Sequence, residues 1–233
     1  MAIGLSGCVG SGDSGGSGDS AGSGDSGGSG DGNSLPTFSS AGTAIKGLLS
    51  NATVFIDLNG DGTFDSDELS TTTNADGSFF FSTTDQSKLQ GDLIVKTNAN
   101  TIDSSSGEIL TDLTLKAVEG SAVISPATTL IKTLVDNGAT EATAKDQVKT
   151  ALGITSDVDL SSFNPFDPQA DLTAAKEVEA AAQKVVAIAN TLAEAAAANG
   201  ADKDTALANA IDAIATNVTG RGTATLNDVT TIQ

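Results

Sequence analysis

Histidine is absent from the 233 residues, and so are tryptophan and tyrosine. Without an imidazole there is no Ser-His or Cys-His nucleophile pair, no histidine general base and no zinc site of the usual kind. Most hydrolytic mechanisms are excluded with it. The missing Trp and Tyr remove the stacking platforms that bases and many sugars need, leaving eight Phe, six of them at or before Phe81. Basic residues are scarce: 11 Lys and Arg stand against 30 Asp and Glu, a formal charge of −19. Nucleic acid binding needs a basic stripe that displaces counterions, so nucleic acid is excluded as a partner. Anionic headgroups are repelled on the same ground, so a membrane could be met only through an anchor. No run of 18 apolar residues is present. The single Cys8 has no partner for an internal disulfide. What so acidic a chain favours is a cation.

Three compositional regimes follow one another. From Gly10 to Gly32 the unit "GSGDSG" repeats with an Asp in each copy and no basic residue. Gly and Ser bury too little apolar area to offset chain entropy, and spaced aspartates repel, so 10–41 reads as an extended linker. Its 23 low-complexity residues reach about 25–30 Å. Gly10, Gly12 and Gly15 have dinucleotide-loop spacing, but no strand precedes them and no helix follows.

Residues 42–124 are rich in Thr, Val, Ile and Phe, with Gly, Asn and Asp punctuation about every ten residues, which is all-β spacing. Strands are expected over "TAIKGLLS" (43–50), "ATVFIDL" (52–58), "DLIVKTN" (92–98) and "EILTDLTLKAV" (108–118). "ELSTTTN" and "GSFFFST" are expected to pair as a hairpin across Asn74-Ala75-Asp76-Gly77. In 108–118, Ile109, Thr111, Leu113, Leu115 and Ala117 share one face, as in a small sandwich with one face buried. At Ser125-Pro126 the period changes, and residues 125–219 predict four amphipathic helices in a bundle. Their apolar stripes are Leu130/Ile131/Leu134/Val135, Ala144/Val148/Leu152, Val178/Val185/Ile188/Leu192 and Leu207/Ile211/Ile214/Val218. Lys132, Lys149 and Lys184 read as charges on solvated helix faces. Residues 220–233 form a polar tail. The fold class expected is α+β: a small antiparallel β-sandwich followed by a four-helix domain.

Within the β-region, Asp57 to Glu68, "DLNGDGTFDSDE", meets every specified position of the calcium-loop pattern D-x-[DN]-x-[DN]-G-x₅-E. A hard cation takes six to eight oxygen ligands, so alternate side chains must converge, a glycine must let the backbone turn, and a bidentate carboxylate must close the shell. Asp57, Asn59, Asp61, Asp65 and Glu68 supply side-chain oxygens at the required spacing, and Thr63 its backbone carbonyl. Left without an ion, the loop crowds five carboxylates, with Asp67, at electrostatic cost. The plainer reading is a solvated acidic turn built on Asn-Gly and Asp-Gly. A paired-carboxylate glycosidase is the sharper one, but no aromatic cleft accompanies these acids.

"NATVFIDLNGDGTFDSDELSTTTNADGSFFF" resembles the calcium-stabilised β-sandwich modules of bacterial surface proteins and adhesins, similar to the prealbumin-like repeats of Gram-positive wall proteins. The resemblance covers 43–124. "VISPATTLI" and "SSFNPFD" also look like a helical segment that accompanies such modules. The resemblance implies Ca²⁺ as a structural ion and adds Asp76 as a downstream ligand, although Asn74 stands where such modules often carry Asp. "LSGC", Leu5 to Cys8, resembles the lipobox of bacterial lipoproteins, which implies lipidation of Cys8. Met1–Gly7 carries neither a basic n-region nor an apolar h-region, so 1–9 reads as a truncated signal.

Together these readings predict a non-enzymatic, calcium-binding, lipid-anchored surface protein, extracytoplasmic in a bacterium. Its partner class would be a host, matrix or neighbouring-cell surface. The alternative is an accessory domain of, or a fragment from, a larger extracellular enzyme or adhesin. A calcium sensor would need a Met-rich groove, and Met1 is the sole methionine.

Overall fold

The computed structural model describes residues 36–110 and 113–220. Among the described residues nine strands precede four α-helices, so the class is α+β. The strands are β1 (Phe38–Ala44), β2 (Leu49–Ser50), β3 (Thr53–Asp57), β4 (Ser70–Thr72), β5 (Ser78–Thr83), β6 (Asp92–Lys96), β7 (Ile102–Asp103), β8 (Thr114–Ala117) and β9 (Val123–Ile124). They form three sheets, ordered β5-β1-β9, β2-β7 and β4-β3-β6-β8. Every pairing is antiparallel except that of β1 with β9.

Register assigns each side of the four-stranded sheet. Val54, Val95 and Leu115 lie in one cross-strand row and Ile56, Leu93 and Ala117 in another. All six are buried in the main core, as period-two alternation requires of an inward face. Phe55, Ile94 and Lys116 make the intervening row on the opposite face. Phe55 and Ile94 are nonetheless 0% and 1% exposed, so something covers this outer face as well. The inward alternation expected around Leu113, Leu115 and Ala117 is present, while Ile109 is exposed and Thr111 lies outside the described residues.

Three expectations about the strands need correction. β1 begins at Phe38, inside the stretch 10–41 expected to be an extended linker. The stretch 43–50 is not one strand: the chain turns at Lys46-Gly47, closed by an Ile45–Leu48 bridge. A Cβ on Gly47 would come within 2.3 Å of Asp103 Oδ1, so the turn is pressed against that carboxylate. The segments around Asn74–Gly77 are joined by a tight turn, with Asn74 N–H donating to Ser78 O at 2.8 Å, yet β4 and β5 do not pair. β4 joins β3 and β5 joins β1. Gly77 sits under the end of β1, where its carbonyl accepts from Ala44 N–H at 2.9 Å. The turn therefore carries the chain from one sheet to another.

The helices start and stop where their caps dictate. α1 (Pro126–Asp136) opens with Ser125 accepting from Thr128 N–H and Thr128 Oγ1 accepting from Ser125 N–H, a capping box with Pro at the first turn. α2 (Glu141–Leu152) ends at Gly153 in the left-handed region, φ 72°. α3 (Leu172–Ala198) opens at Asp171, and α4 (Lys203–Gly220) follows. Ala174, Ala181, Ala182, Ala189 and Ala193 are the buried small residues that let neighbours approach α3.

α1 has an apolar stripe but no wet face: Pro126 through Leu134 are all buried. It lies against β8, where Thr129 Oγ1 accepts from Lys116 N–H at 2.9 Å and Thr128 Oγ1 donates to Lys116 O at 3.0 Å. These hydroxyls satisfy an edge strand that would otherwise be open to further pairing. The apolar core runs without a break from Val54, Ile56 and Leu115 through Leu130, Ile131 and Leu134 to Val148, Val185 and Ile211. Among the described residues no helix is long and apolar enough to cross a membrane.

Candidate metal centre

The twelve residues from Asp57 to Glu68 leave the end of β3 and return into β4, which pairs beside it. The ladder continues past the strand ends, Ile56 N–H donating to Leu69 O at 3.0 Å. Antiparallel pairing thus brings the first and last residues of the loop together, the service that two flanking helices provide elsewhere. Asp57 and Glu68 are both buried at this neck, 4% and 7% exposed.

Inside the neck the side chains turn toward the loop backbone. Asp57 accepts from Gly60 N–H at Oδ1 and Gly62 N–H at Oδ2, each at 2.8 Å. Gly60 and Gly62 have φ 78° and 75°, which only glycine adopts without strain and which aim both N–H groups inward. Glu68 accepts from Leu58 N–H at Oε1 (2.8 Å) and from Asp65 N–H at Oε2 (3.0 Å), so its two oxygens span the loop. Asn59 Oδ1 accepts from Asp61 N–H at 2.9 Å and Asp61 Oδ1 from Thr63 N–H at 2.7 Å, two successive Asx-type turns. Asn59 Nδ2 donates to Asp61 Oδ2 at 3.2 Å and to Asp65 Oδ2 at 2.9 Å. Loop position 3 therefore bridges positions 5 and 9.

The loop is also docked. Phe64 stands edge-on to Phe55, ring centroids 5.8 Å apart, and Lys96 Nζ lies 5.4 Å from the Phe55 centroid. This small cluster explains how Phe55 is buried on the outward face of the sheet: the loop folds across it. At the rim Lys88 Nζ approaches Asp67 at 3.7 Å and also donates to its carbonyl.

The donors at Asp57, Asn59, Asp61, Asp65 and Glu68 are all hard oxygens, the set suited to Ca²⁺, with the Thr63 carbonyl available as a sixth. In chemical kind they fit the ion. Among the described residues, however, no three acidic, His or Cys side chains are gathered into a coordination group. The Asp57 and Glu68 oxygens are instead taken by loop N–H groups, and the Asn59 N–H₂ lies between Asp61 and Asp65. The arrangement is that of an acidic loop closed by its own hydrogen bonds.

Asp76 is not brought to this place. It lies in the β4–β5 turn beside the Asn51 end of β3, the end opposite the loop. Its carboxylate accepts from Ser78 Oγ at 2.6 Å and Ser78 N–H at 3.0 Å, bonds that hold it below the usual aspartate range. Cys8 lies outside the described residues.

Lys132 departs from the solvated helix face expected of it. α1 is covered on nearly every side, and Lys132 is buried, reaching Asp92 at 2.8 Å and also Asp136. Burial works to lower its pKa, but the bonds to Asp136 and Asp92 outweigh it and the net shift is upward. Lys149 stays partly exposed, 4.0 Å from Asp157.

One polar centre had no signal strong enough to single out. Asp103, at the end of β7, is 0% exposed. It is ion-paired with Lys46 and accepts from Gly47 N–H (3.2 Å), Ser105 N–H (2.9 Å), Ser105 Oγ (2.7 Å) and Ser106 Oγ (3.2 Å). Burial raises its pKa, the Lys46 and Ser105 bonds lower it further, and the net is below the ordinary value. Gln183 of α3 donates to Lys46 O at 3.2 Å, tying the turn to the helices. The only sequence trace is the turn-forming run Asp103-Ser-Ser-Ser-Gly107. Every oxygen of Asp103 is engaged, which marks a structural hub.

Comparison with known protein families, curated proteins and solved structures finds no match to this chain.

Proposed function

We propose that the chain is a non-enzymatic, calcium-stabilised module of a bacterial surface protein, with the Asp57–Glu68 loop taking one Ca²⁺. The observation that carries this reading is the closing of the loop's first and last residues by the β3–β4 ladder, with Asn59 bonded to both Asp61 and Asp65. On this reading the loop is EF-hand-like in spacing and strand-flanked in setting. Rotation of the Asn59 amide exchanges an N–H donor for an oxygen ligand. The ion replaces internal hydrogen bonds with coordination to Asp57, Asn59, Asp61, Asp65, Glu68 and the Thr63 carbonyl. The two larger sheets, facing one core, are read as the sandwich of such a module.

The ion's role is structural. A ligand that binds only the folded state stabilises it by RT ln(1 + [L]/Kd), so the roughly 10⁻⁴–10⁻³ M affinity of extracellular modules suffices where calcium is abundant. Placement at a surface, with a lipid on Cys8 and an adhesive or display role, rests on "LSGC" and the acidic Gly/Ser stretch that follows it. Calorimetric titration of the full chain with calcium tests the reading: one site is expected, abolished by Glu68→Gln. No heat of binding, or a site that survives Glu68→Gln, would refute it.

A further inference from the structure

β5 is an edge strand: among the described residues it pairs with β1 alone. The Gly77 carbonyl accepts from Ala44 N–H at 2.9 Å, which makes these two residues a hydrogen-bonded pair. Alternation along an antiparallel ladder then aims the N–H and C=O groups of Phe79, Phe81 and Thr83 at β1 and those of Ser78, Phe80 and Ser82 away from it. The turn has already taken Ser78, whose N–H donates to Asp76 Oδ1 at 3.0 Å and whose carbonyl accepts from Asn74 N–H at 2.8 Å. Phe80 and Ser82 stay open, both with exposed side chains, Phe80 at 58%. Sheet edges are ordinarily blunted by a charge, a proline or a bulge. Ser78–Thr83 and its neighbour Phe38–Ala44 carry no charge and no proline, and their register runs on without a bulge.

We propose that β5 pairs with β5 of a second copy of this chain, antiparallel about a two-fold axis at Phe81. On that axis Phe80 faces Ser82 of the second copy and Ser82 faces its Phe80, so each pair exchanges N–H and C=O bonds and every open group of the edge is satisfied. An axis at Phe80 would set Ser82 against Ser78 of the second copy, whose groups the turn occupies. An axis at Ser82 would set Phe80 against Thr84, beyond the strand. With the axis at Phe81 the two Phe80 residues lie on a diagonal of the outer face, about 7–8 Å apart, within reach of one another's rings. Charge selects the same strip: each copy carries −19, so two copies approach closely only where neither presents an acid. β5 offers six residues a side, whereas a stable interface uses about 20–30, so the dimer is weak and forms at high local concentration.

The test is sedimentation of the full chain from micromolar to millimolar concentration, in enough salt to screen the like charge of the copies, with amide hydrogen exchange at both ends of that range. A concentration-dependent dimer is expected. The Phe80 and Ser82 amides should gain protection only as it forms, while those of Phe79 and Phe81 are protected throughout. Ser82→Pro removes an outward N–H and leaves the β1–β5 ladder intact, and Phe80→Lys puts a charge on the edge; each should weaken the dimer roughly tenfold or more. Leu172→Lys makes the same change of charge at an exposed position of α3 and should not weaken it. A monomer at every concentration, a dimer that both β5 variants leave intact, or an equal loss in Leu172→Lys would overturn the proposal. Protection of Phe80 and Ser82 that does not depend on concentration would overturn it as well, and would mean that the chain covers its own edge.

Discussion

Asp57 and Asp103 each end a β-strand and each gather backbone N–H groups, yet their surroundings are opposite in charge. Asp103 is fully buried, and its cation is supplied by the chain: Lys46 is paired with it, and Gly47, Ser105 and Ser106 fill the remaining directions. Asp57 receives two N–H donors and stands with four further carboxylates in a twelve-residue loop. Lys88 pairs with Asp67 at the rim, and Lys116 Nζ lies 3.8 Å from where a Cβ on Gly62 would stand. Asp103 is matched by a charge of the chain's own, whereas Asp57 and Glu68, also buried, are matched by loop N–H groups alone.

Breaking the matched centre has the largest expected effect. Asp103→Asn removes the charge but not the shape, leaving Lys46 half-buried without its partner, and should cost about 3–5 kcal/mol in denaturant melts. The loss should be the same in calcium and in chelator, because the cation concerned is Lys46. Breaking the surplus centre should behave differently. Asp61→Ala removes a proposed ligand and should lower stability in saturating calcium by about 2–3 kcal/mol, the linkage expected near a hundredfold excess over Kd, with little change in chelator. Equal losses in both media would mean that Asp61 acts only through its turn.

The smallest effect sharpens the comparison with a third carboxylate, one satisfied by neutral donors alone. Glu177 on α3 accepts from Thr155 N–H, Thr155 Oγ1 and Ser156 N–H, at 2.9, 2.7 and 2.9 Å. The Thr155 hydroxyl and the Ser156 donors lower its pKa from 4.5 to about 2. A carboxyl depressed on folding contributes stability that is full above its unfolded value and is lost as pH falls through the folded one. Glu177→Gln should therefore flatten part of the acid limb between about pH 4.5 and 2 and change little at neutral pH. An acid limb unaltered by the substitution would show that solvent already screens these bonds.

What could be read in the chain is what is encoded locally. Ser125-Pro126, Asn137-Gly138 and Gly153 mark helix ends because caps are made by residues within four positions of one another. The loop was legible for the same reason, since its donors and both glycines fall within twelve residues. Asp103 was not, because its partner Lys46 is 57 residues away and Gln183 lies 137 residues from Lys46. Asn74–Gly77 has the residues of a hairpin turn, and nothing local reports that the strands it joins belong to different sheets. Lys132 departs from expectation because a helix with an apolar stripe implies a wet opposite face, which packing on β8 and the other helices removes from α1. Asp76 was placed by resemblance to a motif, and the backbone carries it to the other end of β3.

On the proposed function the Asp57–Glu68 loop takes its counter-charge from solution, whereas Asp103 has its own in Lys46. The most direct measurement is a thermal melt of the full chain in calcium, in magnesium and in chelator, followed by circular dichroism. A higher melting temperature is expected in calcium than in either of the others, because an irregular oxygen shell suits Ca²⁺ better than the octahedral demand of Mg²⁺. Superimposable melts in all three would contradict it and leave the loop as an acidic turn closed by its own hydrogen bonds.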